Sequence, residues 1–127
     1  MEGLYAIVAL VIAGGLGSVI RYLLSQWQGV LPWGILLANS AGGLIAGIAF
    51  ELRQNYSSFG IFGALAAFVL ATGFAGGLST FSSWAAQTSN YWLLRKFRLA
   101  YYNAALNLVL PVGAVTLGFF AASALIN

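Results

Sequence analysis

The 127-residue chain has no cysteine and no histidine, and its only carboxylates are Glu2 and Glu51. Without cysteine, disulfides and thiolate metal sites are excluded. Without histidine, the usual proton shuttle and the commonest metal ligand are gone. The two carboxylates stand far apart in sequence near the ends of apolar runs, so no paired acid–base chemistry is available and the chain is not expected to be an enzyme. Charge is the largest deficit. Charged residues make up 6% of the chain and hydrophobic residues 61%, where a soluble domain carries roughly a quarter charged residues. So few charges cannot coat a surface facing water, and lipid must be the solvent. The net charge of +3 comes from five basic residues; on a membrane protein these report topology, and nothing resembles a nucleic-acid patch.

Apolar runs of about 20 residues can cross a bilayer, and four are present, from about Leu4 to Leu24, Trp33 to Leu52, Phe59 towards Ser89, and Leu99 to Ile126. The expected architecture is all-α, one four-span domain over residues 1–127, with loops at 25–32, 53–59 and 89–98. Trp27, Trp33, Tyr56, Tyr91 and Trp92 fall near segment ends, where amphipathic rings favour the interface. The first run has Glu2 where a signal peptide has basic residues, and it is too long for an h-region, so it reads as a span. Arg53 lies on the side of the termini, while Arg95, Lys96 and Arg98 lie opposite, with Arg21 near that end of the first span. The positive-inside rule puts the 89–98 loop in the cytoplasm.

Glycines recur through the spans, including Gly14, Gly15 and Gly17, the pair Gly43 and Gly47, and the pair Gly73 and Gly77. Small residues at such spacings let backbones approach closely, which accounts for most of them. Packing alone does not account for "GFAGGLSTFSSW" at 73–84, a polar run inside the third span. Gly76 and Gly77 permit non-helical backbone, and Ser79, Thr80, Ser82 and Ser83 can satisfy groups freed by a break. Interrupted helices at mid-membrane recur where ions bind. Phe81 and Trp84 share a helical face, either packing against lipid and protein or turning positive ring edges to an anion. Asn39, in "GILLANSAGG", is either an interhelical hydrogen bond or an amide that meets an anion. Arg21, in "GGLGSVIRYLL", either snorkels to the interface or forms a cationic vestibule.

In these stretches the chain resembles the Fluc (CrcB-type) fluoride channels, over nearly its whole length and above all at 73–84, where the family pattern is close to G-x-x-G-G-[LFY]-[ST]-T-F-S-T-F. The resemblance implies four-helix subunits, the third helix broken near its middle, assembled as an antiparallel dimer with two ion pathways in the cell membrane. It implies that Asn39 lines the pore, that Phe81 is the first of two phenylalanines whose ring edges face fluoride, and that Thr80 and Ser82 lie in the polar part of the same helix. It also implies that the backbone carbonyls of Gly76 and Ser79, with their symmetry mates, hold a central structural Na+, and that Arg21 matches an arginine ending the first helix. Trp84 stands where the second phenylalanine is expected, and Ile35 where a threonine is common. Asn103, Asn107 and Thr116 are polar wall candidates without assigned roles, and Pro111 should kink the last helix. The charge bias points to pairing with a second, oppositely oriented subunit, so the dimer is either homomeric or formed with a paralogue.

The implied function is passive export of cytoplasmic fluoride, which relieves fluoride toxicity. The alternatives are a small multidrug-resistance-type cation/proton exporter, which needs a carboxylate within the first span, and a non-transporting membrane subunit. The first span has no such carboxylate, and a scaffold leaves Asn39, Ser82 and Phe81 unexplained.

Overall fold

The computed structural model describes residues 2–126 apart from the side chains of Glu2 and of residues 56–59, so the interfacial ring expected at Tyr56 lies outside the described residues. Helix α1 is Glu2–Ser25, α2 is Trp33–Gln54, α3 is Tyr56–Phe68, and a π-helical stretch Val69–Ala75 leads into the short α4, Gly76–Leu78. Helix α5 is Phe81–Leu93 and α6 is Phe97–Ile126. Among the described residues four helical stretches are long and apolar enough to cross a membrane, and the third, Gly60–Leu93, is bent. The spans end within a few residues of where the apolar runs end, but the loops are shorter than expected.

The 89–98 loop shrinks to a turn at 94–96, because α5 continues to Leu93. The helix closes by bonds from Lys96 N–H to Tyr91 C=O, 2.8 Å, and from Arg95 N–H to Trp92 C=O, 3.0 Å, around Arg95 at φ 57°. That is the Schellman arrangement, with arginine in the left-handed position glycine usually takes. Tyr91 Oη donates to Val30 C=O at 3.0 Å and ties the loop after α1 to the end of α5, so Arg95, Lys96 and Arg98 lie at the same end of the bundle as Arg21. At the other end Gly60, at φ 62° and ψ −160°, holds a conformation L-residues rarely adopt and turns the chain into the third span.

The helices pack in two parallel pairs. Helix α2 packs most extensively on α6, and α1 lies against the π-helical stretch and α4. Both seams are built on glycine. A Cβ at Gly43 would meet Pro111 C=O at 2.5 Å, one at Gly47 would run into Val115 C=O, and one at Gly118 into Leu44 C=O. On the other seam, a Cβ at Gly17 would run into Phe74 C=O and one at Gly77 into Gly14 C=O. Lipid gives apolar side chains no reason to leave it, so close backbone contact has to supply the association. Gly15, two residues from Gly17, has nothing within 4 Å. The outward faces are apolar: Leu4, Ile7, Val11, Leu16 and Val19 of α1 are all exposed, as a lipid-facing helix requires. Helix α6 runs through Pro111 without a break in its assigned length.

Candidate functional site

The polar run 73–84 departs from a continuous helix in two places. From Val69 to Ala75 the turn widens to π-helical geometry, which the sequence did not signal. The break itself falls at Ser79 (φ −81°, ψ 154°) and Thr80 (φ −153°, ψ 121°), both extended. Gly76 is right-handed helical at φ −64°, ψ −38°, so the expectation that the two glycines leave the helix is corrected. Gly77 is there for the close approach of α1. The break lies after the glycines because a side chain from another helix takes over the backbone bonds.

That side chain is Asn39. Its Oδ1 accepts from Thr80 N–H at 2.7 Å, and its Nδ2 donates to Thr80 C=O at 3.2 Å and to Asn107 Oδ1 at 3.0 Å. One amide therefore holds Thr80 at both its N–H and its C=O, replacing the helical partner of the N–H and adding a second donor to the C=O that opens α5, and both of its own N–H groups are engaged inside the protein. In an α-helix Thr80 N–H would bond Gly76 C=O; here that carbonyl is released. Thr80 also caps α5, its Oγ1 accepting from Ser83 N–H at 3.2 Å. Arg21 Nη1 donates to Ser79 C=O at 3.4 Å, and Ser18 Oγ to Gly77 C=O at 3.4 Å, so cationic and hydroxyl groups from α1 meet the carbonyl end left by the break. On the far side α5 begins with its N–H groups and positive dipole end.

The break separates two hollows. One, of about 400 Å³, is lined by Asn39, Gly76, Ser79, Thr80, Phe81, Trp84 and Asn107 among others. The other, of about 260 Å³, is lined by Ser18, Arg21, Tyr22, Ser25, Ile35, Thr80, Ser82 and Ser83. The expected site residues thus do meet at the break, but on two sides of it. Thr80 alone among them faces both. Arg21 and Ser82 line the hydroxyl-rich hollow; Phe81 and Trp84 line the other. Ile35 fills the place where a threonine hydroxyl was expected, as an apolar wall 2% exposed.

Phe81 is 74% exposed, and its ring meets Trp84 edge-on, with centroids 4.9 Å apart and planes at 77°. An aromatic edge is the positive part of the ring's quadrupole. The indole N–H of Trp84 is engaged: it donates to Asn103 C=O at 3.2 Å. Tryptophan in place of phenylalanine therefore adds a latch to α6, a bond that phenylalanine has no donor to make.

Asn103 and Asn107 are both buried and continue the Asn39 contact along α6. Asn107 Nδ2 donates to Asn103 C=O at 3.1 Å and to Asn103 Oδ1 at 3.2 Å, and Asn103 Nδ2 to Thr88 Oγ1 at 2.8 Å. Their spacing of four residues signals one helical face, but nothing local names the partners. A hydrogen bond between membrane helices adds only about 0.6 kcal/mol on average, so this chain of bonds is better explained by what it holds in place than by stability. Thr116 is exposed and returns its hydroxyl to Val112 C=O, 3.2 Å, away from the break. Glu51 is buried at the end of α2, where Asn55 Nδ2 donates to its Oε1 at 2.9 Å, far along the helix from Asn39.

The profile of the CrcB-like protein family, Camphor Resistance (CrcB), matches residues 8–119. A relative from Bordetella petrii is 36% identical over 119 residues, covering 92% of this chain and 91% of its own length. One from Pyrococcus abyssi is 35% identical over 123 residues, covering 89% and 92%. One from Leptospira interrogans is 39% identical over 80 residues, a match that takes in 61% of that protein's length. All three carry the name fluoride-specific ion channel FluC. With four apolar helices and this profile match, the chain is a multi-pass membrane protein that belongs to the CrcB-like family.

Proposed function

We propose that the protein is a fluoride channel that exports cytoplasmic F⁻ down its electrochemical gradient. One observation carries the reading: in a member of a family whose relatives bear the FluC name, Asn39 holds the third span open beside an exposed, edge-on Phe81–Trp84 pair. Fluoride is strongly hydrated, so passage needs donors that replace water and sites weak enough to release the ion. Arg21 supplies donors and positive charge on one side of the break, beside the hydroxyls of Thr80 and Ser82. The Phe81 ring edge supplies a weak positive surface on the other. Asn39 acts first as the clamp of the break, since both its N–H groups are engaged. A negative-inside potential contributes about 2.3 kcal/mol per 100 mV for each outward charge. The first span has no carboxylate between Gly3 and Ser25, which a proton-coupled cation exporter would need.

The working unit in this reading is an antiparallel dimer, homomeric or with a paralogue. The exposure of Phe81 supports it, because a ring at the lip of an open hollow needs a second wall to bound a pore. A central Na+ would be held by the carbonyls of Gly76 and Ser79 and those of the second subunit. The donor chemistry fits a hard monovalent cation: Gly76 C=O is released by the break, and no carboxylate competes. Arg21 occupies one approach to Ser79 C=O, which leaves the second lone pair for the cation. Such an ion would supply a fixed positive charge between two broken helices.

Phe81→Ile tests the pathway. The side chain is largely exposed, so its replacement leaves this subunit's packing intact; size-exclusion behaviour should match wild type while fluoride efflux from liposomes falls at least about tenfold, the equivalent of about 1.4 kcal/mol. Efflux equal to wild type would remove Phe81 from the pathway.

A further inference from the structure

The hydrogen bonds beyond Asn39 form one continuous line with a regular relation to α5. Thr80, Trp84 and Thr88 are spaced by four residues and share a face of that helix. Each is tied to the same set of amides: Thr80 by its N–H to Asn39 Oδ1, Trp84 by its indole N–H to Asn103 C=O, and Thr88 by its hydroxyl to Asn103 Nδ2. Asn107 joins the two ends, accepting from Asn39 and donating to Asn103. Asn103 is 1% exposed and Asn107 8%. Both Asn107 N–H groups point at Asn103, and both Asn39 N–H groups are taken, so these amides present no free donor to a passing ion.

We propose that Asn107 and Asn103 are positioning residues: they fix the break at Thr80 and the orientation of the Trp84 ring together, and so set ion discrimination without touching the ion. The inference rests on the fluoride-channel reading for its transport consequence, but not for its structural one. Among the described side chains, Asn107 links the clamp at Thr80 to the carbonyl that latches Trp84. Losing it takes away one of the three bonds that hold the Asn39 amide, and removes from the Asn103 C=O the donor that it shares with the Trp84 indole. The Phe81 ring, which follows Thr80 directly and abuts Trp84, then has two supports loosened at once.

The test uses the full chain reconstituted in nanodiscs and liposomes, with Asn107→Leu and the near-isosteric Thr88→Val. Thr88→Val removes the far end of the line and stands in if Asn107→Leu does not fold. The readouts are the Trp84 indole N–H resonance, assigned by its loss in Trp84→Phe, the exchange rate of the Thr80 amide, and the ratio of fluoride to chloride efflux. The expected result is a displaced indole resonance and faster Thr80 exchange in either folded variant, with the efflux ratio at least tenfold lower in Asn107→Leu, or measurably lower in Thr88→Val where only that variant folds. An unmoved indole resonance and unchanged Thr80 exchange would overturn the inference, as would equal losses of both efflux rates at a constant ratio, the mark of a smaller folded fraction. Wild-type protein that passes no fluoride would defeat the channel reading alone; the resonance and exchange measurements would still decide for or against the amide line.

Discussion

Asn39→Ala should sharply lower fluoride efflux even in protein that still inserts and folds. The alanine removes both bonds from residue 39 to Thr80 and leaves its buried N–H without a partner, while the C=O keeps the helical bond that opens α5. Such a group costs about 1–3 kcal/mol. The chain has a way to recover that cost, because Gly76 C=O stands one helical turn back. Thr80 N–H can return to it if Ser79 and Thr80 take up right-handed helical angles. The break then heals and the third span becomes a continuous helix. A difference of about 1–3 kcal/mol between broken and healed forms shifts the population by about 5-fold to 150-fold, so a fall in efflux of at least about fivefold is expected. Slowed exchange of the Thr80 amide in the variant would mark a healed helix. Undiminished efflux would show that the break does not depend on Asn39.

The second large effect separates two glycines on one helix. Gly17→Ala should prevent the subunit from folding to a stable, monodisperse form, whereas Gly15→Ala should not. The added methyl at residue 17 enters the Phe74 carbonyl and lies 2.9 Å from Leu78 N, both backbone atoms that cannot rotate aside. Helix α1 would have to move off the π-helical stretch and α4, taking Arg21 and Ser18 away from Ser79 and Gly77. Overpacking typically costs about 1–3 kcal/mol, and lipid offers no compensating drive to bring the helices back together. At residue 15 there is open space, and alanine is favoured over glycine in a helix by roughly 0.5–1 kcal/mol. Thermal unfolding in detergent would read both outcomes. Equal midpoints for the two variants would contradict the glycine seam.

Four spans were legible because long apolar runs end in polar clusters, and no tertiary contact alters that. The polar run at 73–84 was legible as an interruption, because hydroxyls in hydrocarbon need partners. Its location within the run was not, since glycine's backbone freedom named Gly76 and Gly77 while the deciding bond comes from Asn39, forty-one residues away in sequence. The alternatives for Asn39 were a glue between helices and a donor for an anion. Its geometry makes it the clamp of the break, with no N–H left over. The π-helical stretch has no local signature, as its widened turn is accommodated against α1. Asn103 and Asn107 announced a shared face by spacing alone; their partners Trp84 and Thr88 become visible only once α5 lies on α6. Trp84 read as an enlarged ring, and its indole N–H proved to be a bond to the neighbouring helix. The shortened 94–96 turn was missed because Ser89 and Asn90 look like loop residues, while Arg95 supplies a cap usually made by glycine.

In this reading fluoride crosses the membrane through the broken third span of this chain. The most direct test is ion efflux from liposomes holding the purified protein expressed alone, loaded in parallel with fluoride and with chloride at equal gradients. Rapid fluoride release with chloride retained is the predicted result. Equal release of both ions, or retention of both, would contradict it.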